Sequence, residues 1–495
     1  MAQTTEQPWF TSLTDLAAER LGGKALECTD DFFAEKENLI KPGRGIFIPD
    51  KYTDRGKWMD GWESRRKRVA GHDWCVVQLA TTGIIRGVDV DTNHFLGNHP
   101  PHCSIEACYA PDGDYTKTEW KEILPKSPLN PGSQNFYEID DTGLWTHIKL
   151  HIYPDGGVAR LKVYGEVRID WSRMNPETTL DLAAAINGAR SVACNDMFFS
   201  HMGNLIMPGR GINMGDGWET KRNRTPNNRD WVVVKLAHRG NIERIVVDTC
   251  HFKGNYPDSC LIEGCLLAGG ELEKAEWKPI LAQTKLSADA EHEFRAEVLA
   301  HEPIDHVRLT IFPDGGVSRM RLFGKIDSNM PYSLLNRSND EDGATLLRKC
   351  CGSEKWVKGM LKERPFRSQE ELLEKAGILW QRCGEEDLLE AFRHHPKIGD
   401  VESLKAKFAS TADWAGKEQG GVQGASEEII KELARKNSEY ETKFGFIFIV
   451  CATGKRADEM LEILSSRITN SREQELLNAS AEQMKITLIR LNKIN

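Results

Sequence analysis

Two histidines follow Asp-Thr pairs at matching places in the chain, each with carboxylates nearby: Asp91, His94 and Glu106, then Asp248, His251 and Glu263. An imidazole beside carboxylates serves as a general acid or base near neutral pH. The same residue types can hold a divalent metal. They can equally form a polar network that closes loops at one edge of a sheet. Arginines accompany them. Arg44 and Arg210 lie in Gly-Arg-Gly loops, where glycine lets the backbone approach a ligand closely. Arg160 and Arg319 sit just past Pro-Asp-Gly-Gly turns. Guanidinium groups grip carboxylates through paired hydrogen bonds, so a small anionic substrate suits these residues. Surface salt bridges suit them as well.

A third set lies toward the C-terminus. His395 precedes Pro396, which breaks a helix and can present the imidazole to a cavity. A His in that place also suits the negative end of the helix dipole. Glu418 and Gln419 precede a Gly-rich loop. Arg490 has Ile486, Leu488, Ile489 and Leu491 as neighbours, a pattern that suggests two covered sides of a helix.

The elements that position these residues come in two copies. Asp60-Gly-Trp-Glu63 returns as Asp216-Gly-Trp-Glu219, and Asp91-Thr-Asn-His-Phe95 as Asp248-Thr-Cys-His-Phe252. Cys103-Ser-Ile-Glu106 returns as Cys260-Leu-Ile-Glu263, and Tyr153-Pro-Asp-Gly-Gly157 as Phe312-Pro-Asp-Gly-Gly316. Earlier, Asp31-Phe-Phe33 matches the segment from Asp196 to Phe199 with a small shift. A period this long marks a duplicated domain and not a solenoid. The first copy carries an insertion over about 47–58. Short β-branched runs and Gly/Pro-rich turns predict a jelly-roll-like sandwich for each copy. The Pro-Asp-Gly-Gly turn predicts a hairpin joining the runs that begin at Lys149 and Val158. An Ala- and Leu-rich stretch, 178–190, predicts a helix between the copies.

After Asp327 the periodicity becomes helical. Trp356, Val357, Met360 and Leu361 form one stripe, and Ser368 with Glu371 reads as a capping box opening the next helix. Leu476, Leu477, Ala481, Met484, Leu488 and Leu491 are expected to form the apolar face of the last helix. The fold expected is two repeated all-β sandwich domains, 1–172 and 173–327, followed by an all-α domain, 332–495.

Bulk properties agree with a cytoplasmic enzyme of several domains. The chain has 495 residues, more than one core accommodates. No apolar run approaches a membrane span, and the N-terminus lacks the pattern of a secretory signal. A net charge of −9 argues against a nucleic-acid partner. Cys103/Cys108 and Cys260/Cys265 are spaced so that a strand puts the thiols of each pair on opposite faces, a poor arrangement for one metal. They read as core residues, and no metal is assigned.

The duplicated Pro-Gly-Arg, Asp-Gly-Trp-Glu, Asp-Thr-x-His-Phe and Pro-Asp-Gly-Gly-Val motifs resemble those of allantoicase over roughly residues 15–327. The resemblance implies hydrolysis of allantoate to ureidoglycolate and urea, often by an oligomer. It leaves open which copy works, and the residue roles there rest on the chemistry above. The segment His395-Pro-Lys-Ile-Gly399, together with Arg364-Pro-Phe366 and the stretch from Phe444 to Ala452, resembles 2-oxo-4-hydroxy-4-carboxy-5-ureidoimidazoline (OHCU) decarboxylase. That resemblance covers roughly residues 332–495 and implies cofactor-free decarboxylation to S-allantoin. It makes His395 the proton carrier and Glu418 its acidic partner. Pro396 and Gln419, with the backbone of Phe448, Ile449, Val450, Cys451 and Ala452, would contact the substrate, and Arg490 would hold an anionic group. Ala415 stands where the family usually has Ser. The alternative is that one half is non-catalytic, with the β repeats binding a ligand or scaffolding the decarboxylase.

Overall fold

The computed structural model describes residues 7–395, 427–453 and 455–494. The chain forms two units: one holds 7–169 and 175–327, the other 328–494 with Asp170–Met174.

In the first β copy, one 19-residue strand, Asp73–Asp91, runs through both layers of a sandwich. Its first half lies between Lys24–Cys28 and Trp145–Tyr153, with Val77 opposite Ala25 and Ile148. That layer continues through His102–Cys108 to Lys121–Pro128. Its second half lies between Arg160–Val167 and Phe136–Glu138, with Val88 opposite Val163 and Tyr137. Every pairing is antiparallel. Val77, Val88, Val90, Ile105, Ile148, Leu150, Leu161 and Val163 fill the space between the layers. Each such side chain contributes roughly 1.5–3 kcal/mol by leaving water. The second copy repeats this order around Asp230–Asp248.

In the β unit three expectations change. The Pro-Asp-Gly-Gly segment reverses the chain with a positive-φ glycine, Gly156, but makes no hairpin. Trp145–Tyr153 pairs with the first half of the long strand and Arg160–Val167 with the second half, so the turn carries the chain from one layer to the other. The short strand after it, Gly157–Val158, pairs instead with Trp62–Glu63. The stretch 178–190 is not a helix. Leu180–Asp181 is a strand opposite Gly324 and Phe323, followed by a 3-10 turn, Ala185–Asn187. The Asp181 carboxylate accepts the N–H groups of Ala183 and Leu322, and this local bonding competes with a helix. Leu182 and Ala183 are core residues, as Leu16 and Ala17 are in the first copy. The alignment of Asp31 with Asp196 also shifts by one. Asp30 is the true counterpart, because its carbonyl accepts the Trp62 indole N–H as Asp196 accepts that of Trp218.

The second unit is helical. Its described helices are Pro331–Arg337, Asp340–Cys350, Glu354–Lys362, Gln369–Gln381, Glu385–Arg393, Glu427–Phe444, Ala457–Arg467 and Arg472–Leu491. Trp356, Val357 and Met360 are buried as their spacing predicts. Ser368 caps its helix by accepting the Glu371 N–H, while the Glu371 carboxylate takes the N–H of Arg367 and not that of Ser368. The last helix departs most from expectation. Leu477 is exposed, and the buried face carries Glu475, Ala479, Gln483, Ile486, Thr487 and Leu491. Half of that face is polar, so apolar spacing alone selects the wrong stripe.

Candidate active sites

In each β copy an exposed arginine is anchored on a buried aspartate. Asp91 ends the long strand, opposite Arg160 at the start of the next. Arg44 forks onto it, with Nε–Oδ2 and Nη2–Oδ1 both 2.7 Å. Arg210 does the same to Asp248 at 3.0 and 3.2 Å. These bonds raise the pKa of both arginines and fix their guanidinium planes. Arg160 and Arg319 behave differently. Both are buried: Arg160 donates to the Asp60 carboxylate (2.7 Å) and Arg319 to that of Asp216 (3.0 Å). The same carboxylates accept the N–H of Ile46 and Ile212, tying the Gly-Arg-Gly loops to the sandwich. Arg160 and Arg319 thus brace the loops from beneath, with protein carboxylates as their partners. Asp216 also contacts Arg20 of the first copy.

His94 and His251 follow the anchored aspartates. Each has a left-handed backbone, φ 67° and 72°, which is uncommon outside glycine. The aspartate dictates this turn: Asp91 Oδ1 accepts the Asn93 N–H at 2.9 Å, and Asp248 Oδ1 the Cys250 N–H at 2.8 Å. His94 is exposed and stacks on Phe47 of the insertion. His251 Nε2 is 2.8 Å from the Gly211 carbonyl. Phe95, just after His94, is buried under Gly61 and Gly157; an added Cβ at those glycines would fall 2.7 and 2.0 Å from its ring.

Glu106 and Glu263 go elsewhere. Both lie mid-strand in the other layer. Glu106 hydrogen-bonds His151, which contacts His72. Glu263 is forked by Arg308. Their partners differ between the copies, and neither is bonded to the histidine-bearing loops. A residue pair not singled out from sequence does recur. Asn98 donates to Glu63 Oε1 at 2.6 Å, and Asn255 to Glu219 Oε1 at 2.5 Å. Burial raises the Glu63 carboxyl pKa, and the Asn98 bond opposes that only in part. Both residues lie inside duplicated motifs, and that duplication was the available signal.

In the helical unit, His394 caps Glu385–Arg393 and packs on Gly352. His395 comes next, its N–H bonded to the Phe392 carbonyl. Part of its surface stays accessible, yet the ring is enclosed enough that lost solvation lowers its pKa to about 3. The positive charge of Arg490 adds to this, while a hydrogen bond with Gln483 opposes it. Gln483 is fully buried and was not foreseen. Pro396, Ala415, Glu418 and Gln419 lie outside the described residues.

Residues from Phe448 to Ala452 form no helix and join no sheet. The Phe448 N–H is bonded to Asn437 and the Cys451 N–H to Glu482. Arg467 holds the Ile449 carbonyl at 2.9 Å. Arg467 is itself paired with Glu475, which also accepts from Tyr440, Asn470 and Asn478. Burial alone would raise the Glu475 pKa, but these donors lower it overall.

The family model of the allantoicase repeat matches residues 14–168 and 180–327. The chain belongs to the allantoicase family. "Probable allantoicase 1" from Burkholderia mallei is 50% identical over 327 residues, covering 65% of this chain and 97% of that protein. The crystal structure of allantoicase from Saccharomyces cerevisiae is 37% identical, with TM-score 0.54, over 64% of this chain and 96% of that one. Beyond the allantoicase repeats, residues 336–492 match the OHCU decarboxylase family model. A crystal structure of OHCU decarboxylase in the presence of (S)-allantoin is 36% identical over 32% of this chain and 97% of that one, with TM-score 0.26. The chain is a bifunctional enzyme of purine catabolism, with a hydrolase and a decarboxylase in one polypeptide. The alternative of a non-catalytic β module is not favoured, because the β unit spans nearly the whole length of the curated allantoicases it matches.

Proposed function

We propose that the β unit hydrolyses allantoate to ureidoglycolate and urea, and that the helical unit decarboxylates OHCU to S-allantoin. The anchored, exposed arginine beside a left-handed histidine is the observation that carries the first assignment. Arg44 or Arg210 faces the allantoate carboxylate with its outer edge, its inner edge being held by Asp91 or Asp248. His94 or His251 manages the proton: water loses one as its oxygen bonds the central carbon, and the departing ureido nitrogen gains one as the C–N bond breaks. Glu106 and Glu263 act through strand packing in this reading, and Arg160 and Arg319 as loop braces.

In the helical unit the low pKa of His395 keeps its ring neutral, ready to accept a proton, while Arg490 draws in an anionic substrate. Loss of CO₂ leaves an electron pair that the adjacent imine or carbonyl absorbs, and a proton then closes the product. Glu418 is the acidic partner; Pro396, Gln419 and the backbone of Phe448, Ile449, Val450, Cys451 and Ala452 line the substrate. No described helix is long and apolar enough to cross a membrane. Twelve free cysteines fit a reducing, cytoplasmic setting. The exposed Phe198, Phe199 and Ile212 support assembly into a homo-oligomer.

His395→Ala in the full chain tests the division of labour. Decarboxylation should fall by at least a thousandfold while urea release from allantoate stays intact. Unchanged decarboxylation would refute the assignment of His395.

A further inference from the structure

The second copy carries a cluster that the first lacks. Cys250, His251 and Asp289 each offer one ligand atom, and these atoms lie within 4.8 Å of one another. It is the one such three-residue group among the described residues. The equivalent places in the first copy follow from shared hydrogen bonds. Thr92 donates its hydroxyl to the Asn130 carbonyl and its N–H to that of Ser133; Thr249 does so to Ser287 and Ala290. Asp289 therefore corresponds to Gly132, and both have left-handed backbones, φ 50° and 60°. Asn93 corresponds to Cys250, because each donates its N–H to the anchored aspartate. The first copy thus has Asn, His and Gly where the second has Cys, His and Asp.

We propose that Cys250, His251 and Asp289 form a binding site for one zinc-class divalent cation per chain, confined to the second copy. A thiolate, an imidazole and a carboxylate form a ligand set suited to borderline ions such as Zn²⁺ or Co²⁺. Tetrahedral zinc spaces its ligand atoms by roughly 3.5 Å, so the group needs only a small closure. The surroundings prepare two of the ligands. The Gly211 carbonyl, 2.8 Å from His251 Nε2, fixes the proton on that nitrogen and leaves the Nδ1 lone pair for the metal. Asp289 Oδ1 accepts the His251 N–H at 2.7 Å, which orients the carboxylate toward its own cluster. Two cations lie nearby. Arg210 is engaged by Asp248, and Lys253 Nζ sits 3.8 Å from Asp289 Oδ2. The two carboxylates balance them, and the thiolate formed when a bound metal displaces the Cys250 proton adds one negative charge. Three protein ligands would leave a fourth position of a tetrahedral ion for water. The two copies then differ in kind, the second being metal-bearing and the first not.

The test is metal binding by the full chain after exhaustive dialysis against chelator. Equilibrium dialysis with Zn²⁺ should give one equivalent, and Co²⁺ should give a near-ultraviolet thiolate charge-transfer band. Cys250→Asn and Asp289→Gly install the first copy's residues, and glycine preserves the left-handed backbone. Each should weaken Zn²⁺ binding at least tenfold, and Cys250→Asn should abolish the cobalt band. An unchanged circular dichroism spectrum and an unchanged melting temperature of the β unit report that the variants fold. No Zn²⁺ bound at tens of micromolar, or one equivalent bound equally by wild type and both variants, overturns the proposal.

Discussion

Arg44 and Arg210 are exposed side chains pinned to buried carboxylates, and that sets what a substitution there should do. Lysine keeps the charge but makes a single contact in place of the fork. Losing a charge-assisted bond of about 1.5–3 kcal/mol should lower kcat/KM for allantoate roughly tenfold or more in the copy that works. Urea release by Arg44→Lys and Arg210→Lys separates the copies: an effect from one alone identifies the active copy, and none from either refutes the anchor. His395 carries a different signature. Its folded pKa of about 3 lies below its usual 6.5, so between those values the unfolded chain binds the extra proton. The stability it contributes is present above pH about 6.5 and declines as pH falls toward 3. A pH series of thermal melts should show His395→Gln losing less stability than wild type over that window. Residue types were legible in the sequence here, and partners were not. Asp91 has the type and spacing of an acid–base group, and the fold engages its carboxylate with Arg44. Gln483 gave no signal, because a buried glutamine on a helix looks like a surface residue until its neighbours are placed.

At the scale of elements, duplication carried most of what could be read. It located both histidine loops and the glycines beneath them. It did not show that the long strand serves two layers, since pairing partners leave no local trace in alternation. The failed hairpin around Gly156 and the failed helix at 178–190 share that cause: local pattern reports a turn or a run of small residues, and tertiary pairing decides its use. The glycines now have a mechanical meaning. Gly157→Ala would place a methyl 2.0 Å from the Phe95 ring, directly behind His94. Overpacking of this kind costs about 1–3 kcal/mol. A lower melting temperature for the β unit is expected, with urea release reduced if the first copy is the working one. An unchanged melting temperature would mean the loop yields without cost. The buried stripe of the last helix offers a parallel case. Glu475→Ala leaves Arg467 buried without its carboxylate, a loss of about 3–5 kcal/mol. Decarboxylation should disappear at 37 °C while urea release persists, measured on the same preparation. Joint loss of both activities would contradict the separation of the two units.

For the whole molecule, the two reactions are related but not adjacent. The decarboxylase releases allantoin, a closed ring, whereas the hydrolase takes allantoate, the opened form. A hydrolytic ring-opening step must come between, and neither reaction assigned to this chain supplies it. Direct transfer between the units is therefore chemically excluded without a third enzyme. This has a kinetic consequence. Supplied with freshly generated OHCU, the full chain should make allantoin and no urea. Added ring-opening amidohydrolase should start urea release only after a lag, during which allantoate accumulates in solution toward the KM of the hydrolase. The lag should shorten in proportion to added amidohydrolase and be the same when the two units are supplied by separate variants, one His395→Ala and one lacking hydrolase activity. Urea without added amidohydrolase would reveal a ring-opening activity in the chain itself. A lag that vanishes only when both activities share one polypeptide would show that the fusion retains the intermediate, with the third enzyme docked on it.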